Sequence, residues 1–400
     1  MASSFSLRNF STCSYLIQYF LLILTFSVST KHTLGFCYTS IFSFGDSLAD
    51  TGNLLHIAES STQPPQFALP PYGETYFHRP TGRCSDGRLI IDFIAQDLGM
   101  PLVPPYFRGQ NESVVNFQEG VNFAVGGSTA LDKSFFEERG IHNPFTNSSF
   151  SLRDQLGWFK EMLSSLCHSS SDCKQLLSSS LILMGEIGGN DYNGAFASRR
   201  SLQEIRSFVP IVIDAISSAI TELIELGAMT LMVPGNLPIG CIPYLLTDYM
   251  SSIKEDYDRE TGCLIWLNEF AVYHNEMLRI ELNRIQELHP HTTIIYADYY
   301  NAAMRFYRSP FEYGFNGSRV LKACCGAKEG PYDVNLTVLC GYPPSTPCDD
   351  PSSYVSWDGT HLTEAAYRWI SKSLLEGPYT IPPINLSCIS FPATTESKVD

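Results

Sequence analysis

The feature that most constrains this chain is an alternation of two periodicities. Short apolar runs, Ile41–Phe44, Val121–Val125, Leu181–Ile187, Thr230–Val233 and Thr293–Ala297, are separated by longer segments with apolar residues at helical spacing. Short apolar runs bounded by turn residues read as buried strands, and longer amphipathic segments as helices. Leu89–Leu98, Pro210–Leu226, Leu264–Leu288 and Leu362–Leu375 are the helical segments. Pro210 stands near the start of the second and Gly227 directly after it, the usual asymmetry of helix ends. Strands alternating with helices imply a mostly parallel sheet with helices on both faces. Ligands of such sheets bind beyond the carboxyl ends of the strands. The loops after Phe44, Val125, Ile187, Val233 and Ala297 are therefore where chemistry is expected, and three of them are Gly-rich.

No repeat and no Pro-, Gly- or Ser-rich linker divides the chain, so residues 30–388 read as one domain. Pro310–Ser356 is rich in turn formers and holds Cys324, Cys325, Cys340 and Cys348; it reads as a long stapled excursion. The polar stretch 389–400 is expected to be a disordered tail.

The N-terminus reads as an export signal over residues 1–29. Arg8 precedes an apolar stretch from Tyr15 to Val28, and Ser27 and Ser29 are small residues at cleavage spacing. A membrane anchor is the competing reading, but the stretch is short for a span and is broken by Gln18 and several Ser and Thr. No later segment reads as long and apolar enough to cross a bilayer. Export agrees with the cysteines. The chain has 12, of which Cys13 lies in the signal. In an oxidising compartment the rest read as disulfides. Zinc is the lesser option because Cys324–Cys325 is a vicinal pair and no Cys-x-x-Cys occurs. The odd remainder leaves at least one thiol free or paired between chains, and the connectivity stays open. Sequons at Asn111, Asn147, Asn316, Asn335 and Asn385 match the N-glycosylation pattern and fit the surface loops of a secreted protein, in the apoplast or the vacuole.

Lys plus Arg is 26 against 41 for Asp plus Glu, a net charge of −15. Nucleic-acid binders carry a basic face, and none is visible here. The acidic balance argues against anionic lipid surfaces and for neutral or cationic substrates.

Among the loops, Phe44-Gly45-Asp46-Ser47-Leu48 sets a Ser directly after a strand. It is either an ordinary helix N-cap or a nucleophile, and a Ser nucleophile needs a base. Of the nine His, His361 is distinctive. It follows Asp358-Gly359-Thr360 on a tight turn, where the carboxylate can reach one ring nitrogen and leave the other free. Thr360 or Thr363 can also cap the last helix there. His274, by contrast, lies mid-helix and reads as structural. An acyl-transfer site also needs oxyanion donors. Gly126-Gly127 offers backbone N–H groups without side chains in the way, and Asn190, after Gly188-Gly189, offers an amide.

Taken together, these blocks resemble the plant GDSL esterase/lipase family of the SGNH hydrolases. Gly45-Asp46-Ser47-Leu48 is similar to its nucleophile block, Asn122–Gly127 to its second block, Gly188-Gly189-Asn190-Asp191 to its Gly-x-Asn-Asp block, and Asp358–His361 to its Asp-x-x-His block. The order and wide spacing agree, over about Ser40 to Ile381. Ser128 stands where the family often has Ala. Long shared stretches look like the subgroup that includes acetylajmalan esterase and sinapine esterase. The resemblance implies a three-layer α/β/α fold with a flavodoxin-like sheet, and Ser47 as nucleophile, His361 as general acid/base and Asp358 as its orienting carboxylate. It further implies an oxyanion hole of the Ser47 and Gly127 N–H groups and the Asn190 side chain. No metal or other cofactor is expected, and the partner is a small-molecule ester of a specialised metabolite, with neither nucleic acid nor stable membrane insertion involved. Acyl transfer by the same site, lipase action on acyl lipids, and a catalytically silent glycosylated binding protein remain the alternatives.

Overall fold

The computed structural model describes residues 38–58, 64–111, 117–142 and 150–384. Among the described residues six strands form one sheet: β1 (Ser40–Ser43), β2 (Gly120–Asn122), β3 (Ser180–Leu183), β4 (Thr230–Pro234), β5 (Thr293–Ala297) and β6 (Thr380–Ile381). Their order is β2-β1-β3-β4-β5-β6. The first five are parallel, and β6 pairs antiparallel with β5. The parallel order is the flavodoxin-like one, whose ligand crevice opens between β1 and β3, where the winding reverses.

Side-chain alternation sorts the strands between two cores. Phe42, Ile182, Leu231 and Ile294 face one side, packing with α2 (Leu152–Leu166), α4 (Leu202–Leu226) and α5 (Ile265–Leu288). Ile41, Leu181, Met232 and Ile295 face the other, packing with α1 (Ile90–Asp97), α6 (Tyr299–Arg308) and α7 (Glu364–Glu376). The remaining labelled helix, α3 (Gly189–Ala197), follows β3. The result is the expected three-layer α/β/α arrangement.

The structure differs from the sequence expectations in four places. Pro210 is not near a helix start. It lies inside α4, which begins at Leu202 behind Ser201, whose hydroxyl accepts from the Glu204 N–H. Ile205, Phe208 and Val209 extend the buried face ahead of the proline, and that burial outweighs the backbone bond the proline removes. At 25 residues, α4 is long and apolar enough to cross a membrane by length and composition, contrary to the expectation from the shorter segment. Half of its apolar window is buried here, as in a core helix. β2 and β3 stop earlier than their apolar runs, at Asn122 and Leu183; the remaining residues leave the ladder to build the site loops. β6, only two residues long, was not foreseen.

Candidate active site

Beyond β1 the chain turns rather than starting a helix. The N–H groups of Ala49 and Asp50 both bond to the Asp46 carbonyl, so Ser47 sits on a single turn and caps no helix. Gly45 makes the turn possible. Its φ is +137°, and a Cβ there would stand 2.9 Å from the Glu186 carbonyl oxygen. The loops after β1 and β3 therefore touch through backbone. Gln155 of α2 holds the turn from behind, accepting from the Gly45 N–H at 2.9 Å and donating to its carbonyl at 2.8 Å.

Three buried side chains tie this turn to the loop after β2. Asp50 accepts from the N–H groups of Gly52, Asn53, Leu54 and Gly126 at 2.6–3.1 Å. Asn53 donates to the Asn122 and Ala124 carbonyls, and Asn122 donates back to the Ala49 carbonyl and the Thr51 hydroxyl. Asp191 clamps the other end of that loop, accepting from Ala130 and Leu131 N–H at 2.8 and 3.0 Å. These clamps were not among the expected site residues; their signal is Asp and Asn within two residues of Gly in the motif loops, the residue types that bond nearby backbone.

The clamps decide which glycine is available. The Gly126 N–H is spent on Asp50. Gly127, at φ +82°, is half-buried, and among the described residues neither its N–H nor that of Ser47 has a protein acceptor. Asn190 is not free. Its amide donates to Asp46 Oδ2 at 2.8 Å and to the Ser128 carbonyl at 3.1 Å, while its own oxygen accepts from Asn193. Asp46 is pushed well up, by burial and then by the neighbouring Glu186 carboxyl.

The last helix delivers the other half. Thr363, not Thr360, caps α7, its hydroxyl accepting from the Ala366 N–H. On the turn before it, Asp358 Oδ1 accepts from the N–H groups of Thr360 and His361 at 2.9 and 2.8 Å. Asp358 Oδ2 accepts from His361 Nδ1 at 2.7 Å, and His361 Nε2 meets Ser47 Oγ at 2.8 Å across 314 residues of sequence. Burial pushes the Asp358 carboxyl up, but the His361 ring and the turn's N–H groups outweigh it and hold it at about 2. It is a fixed anion at working pH. His274 lies elsewhere, buried on α5 against the Tyr192 hydroxyl at 2.8 Å, and burial lowers it to about 3.

A family model, that of the GDSL-like lipases/acylhydrolases, matches residues 41–374. The chain belongs to this family. A GDSL esterase/lipase of Arabidopsis thaliana is 55% identical over 377 residues, 94% of this chain and 95% of its own length. A second from the same plant is 54% identical, over 93% of this chain and 94% of its own. A Brassica napus protein named sinapine esterase is 50% identical, over 95% of this chain and 96% of its own. This GDSL chain is thus an ester hydrolase, and its cysteines form disulfides. Cys324 pairs with Cys348, Cys325 with Cys340, Cys167 with Cys173 and Cys241 with Cys263, while Cys84 is a free buried thiol. Asn316 and Asn335 are half-exposed, each accepting from the N–H and hydroxyl of its sequon Ser318 or Thr337. The side chain of Asn111, and Asn147, Asn385, the signal segment and the tail, lie outside the described residues.

Proposed function

We propose that this GDSL hydrolase is a secreted serine esterase that cleaves esters of small specialised metabolites through an acyl-enzyme. Ser47 is the nucleophile, His361 the general acid and base, and Asp358 the carboxylate that orients it. The observation that carries the reading is the unbroken relay from Ser47 Oγ through His361 to Asp358, at 2.8 and 2.7 Å. Ser47 Oγ attacks the ester carbonyl while His361 Nε2 takes its proton. Asp358 stabilises the imidazolium, and the same proton passes to the departing alcohol as the carbonyl–oxygen bond breaks. Water, deprotonated by His361, then releases the acid and restores Ser47.

The unspent N–H groups of Ser47 and Gly127 receive the oxyanion. Asn190 is the third donor, and it serves by turning from the Ser128 carbonyl, the longer of its two bonds, toward the substrate oxygen. The acidic surface and the similarity to a protein named sinapine esterase support small neutral or cationic esters over acylglycerols. The four disulfides among the described residues and the two half-exposed sequons support export, with loss of residues 1–29 and glycans at Asn111, Asn147, Asn316, Asn335 and Asn385.

Fluorophosphonate labelling tests the nucleophile. Wild-type protein labels and Ser47→Ala does not; labelling of folded Ser47→Ala at the wild-type rate overturns the assignment. Turnover of acetyl, aromatic-acyl and long-chain esters tests the substrate class, which fails if only long-chain acylglycerols react. An N-glycosidase should lower the apparent mass of protein made in a secretory host.

A further inference from the structure

We infer that Tyr72 is a positioning residue for the proposed triad: its phenol shares the Asp358 oxygen that holds His361, and so sets how that carboxylate meets the imidazole. The inference rests on the triad reading above.

The Tyr72 hydroxyl donates to Asp358 Oδ2 at 2.8 Å, the same oxygen that accepts from His361 Nδ1 at 2.7 Å. With two backbone N–H groups on Oδ1, the carboxylate takes four donors, about its full capacity. Three of the four come from its own turn. Tyr72 is the one from elsewhere, 286 residues away in sequence. It is 1% exposed, so its task lies behind the reacting atoms and not at the substrate. Its ring packs edge-to-face on Trp357, with centroids 6.0 Å apart.

Tyr72 is itself anchored by a segment that grips the same turn from its other side. The N–H groups of Gly73 and Thr75 bond to the carbonyls of Ser85 and Asp86. The Ser85 hydroxyl donates to the Leu362 carbonyl, Asp86 accepts from the Glu364 N–H, and Arg88 pairs with the Glu364 carboxylate at 2.7 Å. His361 is thus bracketed, at 358 by Tyr72 and at 362–364 by residues 85–88. A rigid bracket matters because small misplacements of a catalytic group are costly in rate.

The bond also acts on charge. A donor on a carboxylate draws off negative charge that would otherwise face the imidazolium. The other titratable groups facing this carboxylate are His361, the Cys84 thiol and the Tyr367 phenol; the buried carboxyls of Asp46 and Asp50 act on the same thiol. Burial pushes Tyr72, Cys84 and Tyr367 well up, and Asp358 raises each further, so Tyr72 remains a donor throughout.

Tyr72→Phe keeps the ring and removes the bond. It should lower kcat about tenfold, the scale of one hydrogen bond to a charged group, with KM nearly unchanged. The acidic limb of kcat/KM should move to higher pH, because the carboxylate keeps more charge. Difluorotyrosine at position 72 is a stronger donor and should move the limb to lower pH. In an Asp358→Asn background, Tyr72→Phe should cost little further. An unmoved limb in both position-72 variants, or an equal Tyr72→Phe loss in both backgrounds, overturns the inference. If Tyr72→Phe does not fold, the direction of the difluorotyrosine shift decides. Failure of the triad reading itself looks different: Ser47→Ala and Asp358→Asn would then stay active whatever Tyr72 does.

Discussion

The Ser47 side and the His361 side of this site are held by different means. Around Ser47, loops from three strand ends are tied by buried polar side chains bonded to backbone: Asp50, Asn53, Asn122, Gln155 and Asp191. Around His361 the turn is backed by the stapled excursion. The N–H groups of Cys324 and Cys325 bond to the carbonyls of Ser356 and Trp357, and their sulfurs are bridged to Cys348 and Cys340. The Ser47 side grows from the sheet, where strand pairing already fixes most of the backbone. The His361 turn follows a long excursion with little regular structure, and covalent bridges with the 72–88 segment take the place of a sheet. The two sides of the site thus draw their support from different sources.

The largest expected effects break the relay itself. Ser47→Ala and His361→Ala should each lower kcat on the order of 10⁶-fold. Asp358→Asn should cost roughly 10⁴-fold through the wrong His tautomer, and Asn190→Ala about 10²–10³-fold as one oxyanion donor. Steady-state kinetics on folded variants gives the ranking. His274→Ala and Asp298→Ala, at a buried position of a helix and at a helix cap, should track stability and leave the chemistry. A dead His274→Ala beside an active His361→Ala reverses the assignment.

A second pair of variants separates the bridges behind the His361 turn from those elsewhere. Cys325→Ser with Cys340→Ser opens a 15-residue bridge and should destabilise by about 2–5 kcal/mol, with kcat falling as the Asp358 turn loosens. Cys167→Ser with Cys173→Ser, a separation of 6 on the α2 side of the sheet, should lower Tm less and leave kcat alone. Equal kcat for the two double variants would remove the contrast drawn above.

The Ser47 side should instead show its character in pH. Burial raises Asp46, Asp50, Glu186 and Asp191, the last to about 7. Groups raised on folding bind more protons in the native state. Their stabilisation is complete below the ordinary carboxyl range and is lost as pH climbs through the folded values. Thermal unfolding should therefore show a Tm several degrees higher near pH 5 than near pH 8. A Tm that rises across this window contradicts the assignment.

The smallest effect is a gain. Ser128 Oγ is buried without a hydrogen-bond partner, beside a carbonyl that does the bonding. Ser128→Ala should stabilise by about 1 kcal/mol, the lower end of the cost of an unsatisfied buried hydroxyl, with kcat unchanged. Denaturant unfolding reads it, and a loss of stability shows that the hydroxyl has a partner.

Periodicity alone carried the alternation of five strands and their helices, because burial on two faces is written locally in each segment. The motif loops could be located for the same reason, since the apolar runs end where Gly, Pro or Asp begins. Tertiary structure decided what depends on distant pairs. It chose among cysteine pairings of comparable spacing, and it ran α4 through Pro210 because the buried face continued. It spent the Gly126 N–H and left that of Gly127, and it occupied the Asn190 amide. It also brought Tyr72 to Asp358 across 286 residues, a contact no local pattern announces, because a buried phenol finds its acceptor only once the layers have packed.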